Sequence, residues 1–150
     1  MRLRIGRLEC LGSMDDSLVG LIADCAEEVR YGAGQTLFRE GDRADHVFLI
    51  RKGMVALQIH GTARGRVTLQ TVGPGEMLGW SWLIPPYEKQ FTAEAIEPVQ
   101  AVKVDARQLR GLCAENPVLE HELLKLFVPL IARRLQATRM QLLDIYAAKD

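Results

Sequence analysis

Apolar residues first recur along the chain with a helical step: Leu18, Leu21, Ile22, Cys25, Ala26 and Val29 follow the i, i+3, i+4, i+7 pattern over residues 15–30. Asp15, Asp16 or Ser17 can cap that helix, and Gly32 and Gly34 stop it. From there the texture changes to short runs broken by glycine, at Thr36–Arg39, His46–Arg51, Val55–Ile59, Arg66–Val72, Phe91–Ala95 and Val99–Val104. Gly61 and Gly65 bracket a hairpin tip made by Thr62, Ala63 and Arg64, and Gly73-Pro74-Gly75 marks another turn. Turn signals at this spacing predict a β-sandwich or barrel over about 34–104.

After Val104 the period returns to that of a helix. Asp105 caps a short helix over Ala106–Ala114, and Asn116 caps a longer one with Pro117 in its first position. The second helix runs to about Tyr146, or about 45 Å at 1.5 Å per residue. Pro129 inside it removes a backbone hydrogen bond, so a bend is expected near Lys125–Pro129. Two stripes lie on this helix. Leu119, Leu123, Phe127 and Leu130 form a face for the barrel. Leu124, Val128, Ile131, Leu135, Thr138, Leu142 and Ile145 follow the heptad spacing of a coiled coil, which predicts the same helix of a second copy as partner. Arg133, Arg134 and Arg139 read as a solvated flank. Helices about 105–147 and the β region form one domain spanning 1–150.

Hydrophobic residues at 48% and charged residues at 25% describe a globular chain with a core. Nineteen basic and nineteen acidic side chains cancel, so no net charge draws it to DNA or an anionic membrane. Cys10, Cys25 and Cys113 are odd in number and lack any Cys-x-x-Cys spacing, which argues against a disulfide framework or a zinc site. Arg2, Arg4 and Arg7 precede no apolar signal segment, and no stretch reaches the roughly 20 apolar residues of a membrane span. A cytoplasmic protein is expected. Only three histidines exist, His46, His60 and His121, with no His-x-His pair for a cupin-type metal and none marked as a haem ligand. No nucleophile elbow surrounds Ser81. No enzyme is expected.

One segment carries more information than the rest. Gly41 and Asp42, then Ala44, then the apolar run Val47-Phe48-Leu49-Ile50, then Gly53 read as turn, buried strand, turn. This spacing resembles the first signature of the cyclic-nucleotide-binding domain of Crp/Fnr-type regulators, with Phe38 standing where a smaller aliphatic is usual. A second signature follows in Leu78, Gly79, Leu83, Gln90, Ala93 and Ala95. The resemblance runs from about Leu18 to Ile145. It implies a mainly β fold, a double-stranded β-roll (jelly roll) with a first helix and two C-terminal helices, the last long and dimerising. It also implies a signal-sensing role with a small-molecule effector and an unknown downstream protein. The ligand would sit on a phosphate-binding cassette, where backbone N–H groups, an Arg and a ribose-binding Glu hold a cyclic nucleotide.

In this chain the cassette aligns with Leu78, Gly79, Trp80, Ser81, Trp82 and Leu83, then Lys89, Gln90 and Phe91. Trp80 stands in the place of the ribose-binding Glu, Trp82 in that of a small residue, Lys89 in that of the phosphate-binding Arg, and Phe91 in that of an alanine. Indole N–H is a donor only, and an ammonium lacks the planar fork of a guanidinium. Losing one charged hydrogen bond and weakening another costs roughly 2–5 kcal/mol, which moves a micromolar nucleotide site to about millimolar. Two readings stay open: an altered pocket for another small anion or flat ligand, or tryptophans that fill the pocket of a dimerisation module. The family's DNA-reading regulators carry a helix-turn-helix after the long helix, and this chain ends at Asp150, so DNA binding by that route is not expected.

Overall fold

The computed structural model describes residues 14–62, 65–83 and 85–148. Helix α1 (Asp16–Ala23) leads into strands β1 (Ala26–Tyr31), β2 (Thr36–Phe38), β3 (His46–Lys52), β4 (Val55–Thr62), β5 (Gly65–Val72) and β6 (Met77–Leu78). A 3-10 turn (Trp80–Leu83), β7 (Thr92–Ala95) and β8 (Val99–Asp105) follow, then α2 (Ala106–Glu115) and α3 (Pro117–Ala148). The strands form two four-stranded antiparallel sheets, ordered β1-β8-β3-β6 and β2-β7-β4-β5. This is the β-roll with flanking helices that the signatures imply.

Strand parity explains the apolar run at Val47–Ile50. Phe48 and Ile50 point between the sheets, into a core with Val55, Leu57, Val72, Leu78 and Val99. Val47 and Leu49 point the other way, into a core shared with Leu18 and Ile22 of α1, Leu109 of α2 and Leu119, Leu123, Phe127 and Leu130 of α3. A strand covered on both faces has no solvent side and so no polar alternation. The barrel-facing stripe expected on α3 is the one that is buried.

The caps fall where the sequence predicts them. Asp15 Oδ1 accepts from Ser17 N at 3.3 Å, Asp105 Oδ1 from Arg107 N and Gln108 N at 2.9 and 3.0 Å, and Asn116 Oδ1 from Leu119 N at 3.2 Å. Pro129 lies inside an uninterrupted helical span of 32 residues.

The first helix is shorter than the periodicity predicts. It ends at Ala23, and residues 26–31 instead pair with β8 from Ala26↔Val104 to Tyr31↔Val99. Ala26 and Val29 fit a helical step, but Val29 and Tyr31 fit a strand step equally well. The open edge of β8 offers six backbone partners and a core for those two side chains, which decides the contest. Strand β6, two residues long, carries no periodic signal and was not expected. The hairpin tip at residues 63 and 64, Cys10 and the arginines of the first seven residues lie outside the described residues.

Gly53 closes the turn from β3 to β4 at φ +94°, and a Cβ there would lie 2.2 Å from the Pro98 carbonyl oxygen. Gly41 has φ +89° but open space around it. Gly53→Ala is therefore expected to cost roughly 2–4 kcal/mol in urea unfolding and Gly41→Ala only about 1–2 kcal/mol. Equal costs would show that the contact with Pro98 relaxes freely.

Candidate functional site

Two hairpin-like crossings position the cassette. Strand β6 ends at Leu78, and Gly79 at φ +96° turns the chain into the 3-10 turn. The returning segment is fastened to the β2–β3 loop by backbone bonds: Ala44 N to Tyr87 O (2.6 Å), Lys89 N to Asp42 O (2.7 Å) and Gly41 N to Lys89 O (2.8 Å). With its backbone held on both sides, Lys89 sends its side chain inward, where only 3% of its surface stays exposed. Nζ donates to His46 O at 2.6 Å and lies 4.2 Å from the centroid of the Phe38 ring. A Cβ on Gly79 would sit 2.6 Å from Nζ, which would have to shift, and 3.1 Å from the His46 carbonyl oxygen, so φ is the firmer reason for the glycine.

Among the described residues no carboxylate forms an ion pair with Lys89. Burial pulls its ammonium down to about 8, against the weaker opposing pull of Asp45 and Asp42. A cation–π contact and one carbonyl hold the charge without neutralising it.

Leu78, Gly79, Ser81, Lys89, Gln90 and Phe91 gather around one cavity. Phe38, Leu57 and Arg134 complete it, and these three were not foreseen. Its volume is about 10 Å³, room for about one water. Trp82 and Leu83 lie elsewhere. Trp82 is fully buried in the core beside the helices, edge-on to Phe127 with centroids 5.6 Å apart, and Leu83 packs on the same core. Trp82 therefore neither fills nor lines the cavity. Its Nε1 has no acceptor among the described residues. The backbone of Trp80 belongs to the 3-10 turn, and its side chain lies outside the described residues.

Arg134 corrects the reading of the helix arginines as a solvated flank. It is half-buried, its Nη1 donates to Gln70 Oε1 at 2.6 Å, and Gln70 Nε2 donates back to Arg134 O at 3.1 Å. Arg133 and Arg139 do stand exposed. A signal for Arg134 existed: the buried face at Leu123, Phe127 and Leu130 reaches Arg134 with one further step of four.

A second unforeseen residue ties the cassette to α2. Arg110 Nη1 donates to Trp82 O at 3.0 Å and to Ala44 O at 3.4 Å, with its guanidinium 4.5 Å from the Tyr87 ring. On α3, Leu124 is 38%, Val128 57% and Leu135 69% exposed, while Ile131 and Thr138 are half-buried. Leu142 and Ile145 have side chains outside the described residues. Cys25 and Cys113 are buried, and burial raises each thiol to about 11, so both are inert. Among the described residues no group of His, Cys, Asp and Glu is arranged to hold a metal, and no helix is long and apolar enough to cross a membrane.

The family model of the cyclic nucleotide-binding domain matches residues 28–116. The chain is 28% identical over 142 residues to the CRP-like cAMP-activated global transcriptional regulator of Mycobacterium tuberculosis, covering 94% of this chain and 61% of that protein. It thus spans about six-tenths of that relative's length. Among solved structures, a putative cyclic nucleotide-binding protein from Geobacter metallireducens superposes with TM-score 0.79 at 29% identity, covering 89% of this chain and 98% of that one. The catabolite activator protein of Thermus thermophilus shares the fold, with TM-score 0.70 at 24% identity over 93% of this chain and 63% of that one.

The buried ammonium sets a pH dependence. Below about 8 Lys89 is charged in both states and folding bears the full cost of burying it. Between about 8 and 10.5 the unfolded chain binds more protons, so stability rises with pH, and above 10.5 the cost is gone. Lys89→Met is expected to abolish this rising limb in urea unfolding across that window. An identical slope in both proteins would show the ammonium to be solvated.

Proposed function

The chain belongs to the cyclic nucleotide-binding domain family, and from that premise we propose that it is a non-catalytic, signal-sensing regulatory domain whose cassette takes a compact anion. The observation that carries this reading is the pair of cations on one cavity: the Lys89 ammonium, buried without a carboxylate ion-pair partner among the described residues, and the half-buried Arg134 guanidinium. A cavity with that lining favours negative charge, and desolvation strengthens each contact made there. The M. tuberculosis relative is described as cAMP-activated. In this chain a purine riboside would have to displace Phe91 and Phe38 from a space of about 10 Å³, with no carboxylate at position 80 to reward it. A phosphate, sulfate or small carboxylate asks for less rearrangement.

The exposed stripe Leu124, Val128 and Leu135 supports α3 as the seam of a homodimer. Ligand entry would move the 3-10 turn, which Arg110 links to α2 and Trp82 links to Phe127 of α3. The surface offered to a downstream protein would change accordingly. The small size of the cavity also favours a second reading, a domain that has lost its ligand and works as a dimerisation module.

Titration calorimetry separates the two. Inorganic phosphate or sulfate is expected to bind with heat that disappears in Lys89→Met, whereas cyclic AMP and cyclic GMP bind no tighter than about millimolar. Micromolar cyclic AMP binding would overturn the compact-anion reading, and silence toward every anion would leave the dimerisation module. For the seam, Leu135→Glu is expected to convert a dimer to a monomer in light-scattering chromatography, with Gln136→Glu, on an exposed position, as the charge-matched control. A wild-type monomer at high concentration would refute it.

A further inference from the structure

Lys89 has properties that anion binding alone does not require. A cation kept for electrostatics is best left fully protonated, yet this one is enclosed by Phe38 at 4.2 Å, Phe48 at 6.0 Å and a single carbonyl at 2.6 Å. Burial there lowers it to about 8, so a substantial share is free amine in mildly alkaline solution. A neutral buried amine is a nucleophile. On one side of it lies the cassette cavity of about 10 Å³, and on the other an open cleft of about 320 Å³ reaches solvent past Arg43 and Lys103.

We propose that Lys89 is a carbamylation site, and that carbon dioxide is the small molecule it takes. The inference shares its cavity with the anion reading but does not depend on that reading. On the cassette side the space holds about one water, which keeps sugars, aldehyde cofactors and acyl carriers out of the cavity, whereas carbon dioxide, smaller than phosphate or sulfate, asks for the least displacement of its lining. The Nζ lone pair attacks the carbon of CO₂, one C=O π pair moves onto oxygen, and one N–H proton leaves to water. The product is a carbamate. Its remaining N–H keeps the bond to His46 O, and its carboxylate falls in the cavity that Ser81, Gln90 and Arg134 line. No oxidant, reductant or cofactor is needed.

The same reaction turns the centre of the site from cation to anion. The new charge pairs with Arg134 of α3, drawing that helix toward the cassette, and repels any soluble anion. The charged groups facing Lys89 are Asp42, Arg43 and Asp45 of the β2–β3 loop, His46 of β3, Lys103 of β8 and, across the cavity, Arg134 of α3. Asp45 and Asp42 favour the ammonium and so oppose the reaction, while burial favours it and dominates.

The test is trapping with an alkyloxonium salt under ¹³C-labelled CO₂ at fixed partial pressure, followed by peptide mass spectrometry, with ¹³C spectra recorded in parallel. An ethoxycarbonyl group on Lys89 and a carbamate resonance absent from Lys89→Arg are expected. Two protons leave for each ammonium converted, so at fixed CO₂ pressure occupancy should rise about a hundredfold per pH unit well below about 8 and about tenfold per unit above it until the site saturates. Arg134→Gln should lower it several-fold. Circular dichroism checks that both variants fold. Label confined to the α-amino group and exposed lysines such as Lys52 and Lys125, or equal label in Arg134→Gln, would overturn the proposal. Phosphate binding by calorimetry is an independent result, so the two readings fail separately.

Discussion

Burial of β3, within the β1-β8-β3-β6 sheet, on both of its faces is the constraint on which the rest of the molecule depends. Each residue of β3 from Val47 to Ile50 goes to one of two cores, and the two cores share only that sheet. The inner one closes the β-roll. The outer one seats α1, α2 and the first turns of α3. A one-residue slip of β3 against β8 would exchange the two sets of side chains, sending Phe48 toward the helices and Leu49 into the roll. The register Val47↔Val104 to Ile50↔Ala101 is therefore fixed by packing on both sides at once.

The cassette inherits its order from that frame. β6 is held by two residues of β3, Phe48 and Leu49, and His46 of the same strand offers its carbonyl to Lys89. The ammonium is thus stationed by the strand that separates the cores. Its charge persists in a desolvated place because a ring face and a carbonyl dipole offset part of the burial cost, and nothing removes the remainder. That residual cost is what would make the site responsive to pH, to anions and to electrophiles.

Much of this was legible in the residues, and the failures have physical causes. Helix caps at Asp15, Asp105 and Asn116 announced themselves because they need one side-chain type at one place. The glycines at 41, 53 and 79 were equally plain, since φ near +90° tolerates little else. The stretch 26–31 misled because apolar positions three apart suit either period, and only the free edge of β8 decides between them. The tryptophans misled in a different way. An aligned cassette says which residues occupy the turn, but a tight 3-10 turn throws neighbouring side chains in opposite directions, so Ser81 lines the cavity while Trp82 packs on Phe127. Arg134 was readable as the next step of a buried face and was masked by its charge, which suggests solvent more strongly than position suggests burial.

Adjacent positions on α3 look in different directions. Arg134 reaches into the cassette cavity, and Leu135 stands in open solvent beside it. One peptide bond separates a group that would sense occupancy from a group that would sense a neighbour, and a helix is too stiff to let either shift privately. If the helix pairs, effector affinity and self-association become one linked equilibrium. Dilution then changes effector affinity, in the direction set by which form, single or paired, holds the effector better, and how much of this chain a cell makes sets how strongly it answers.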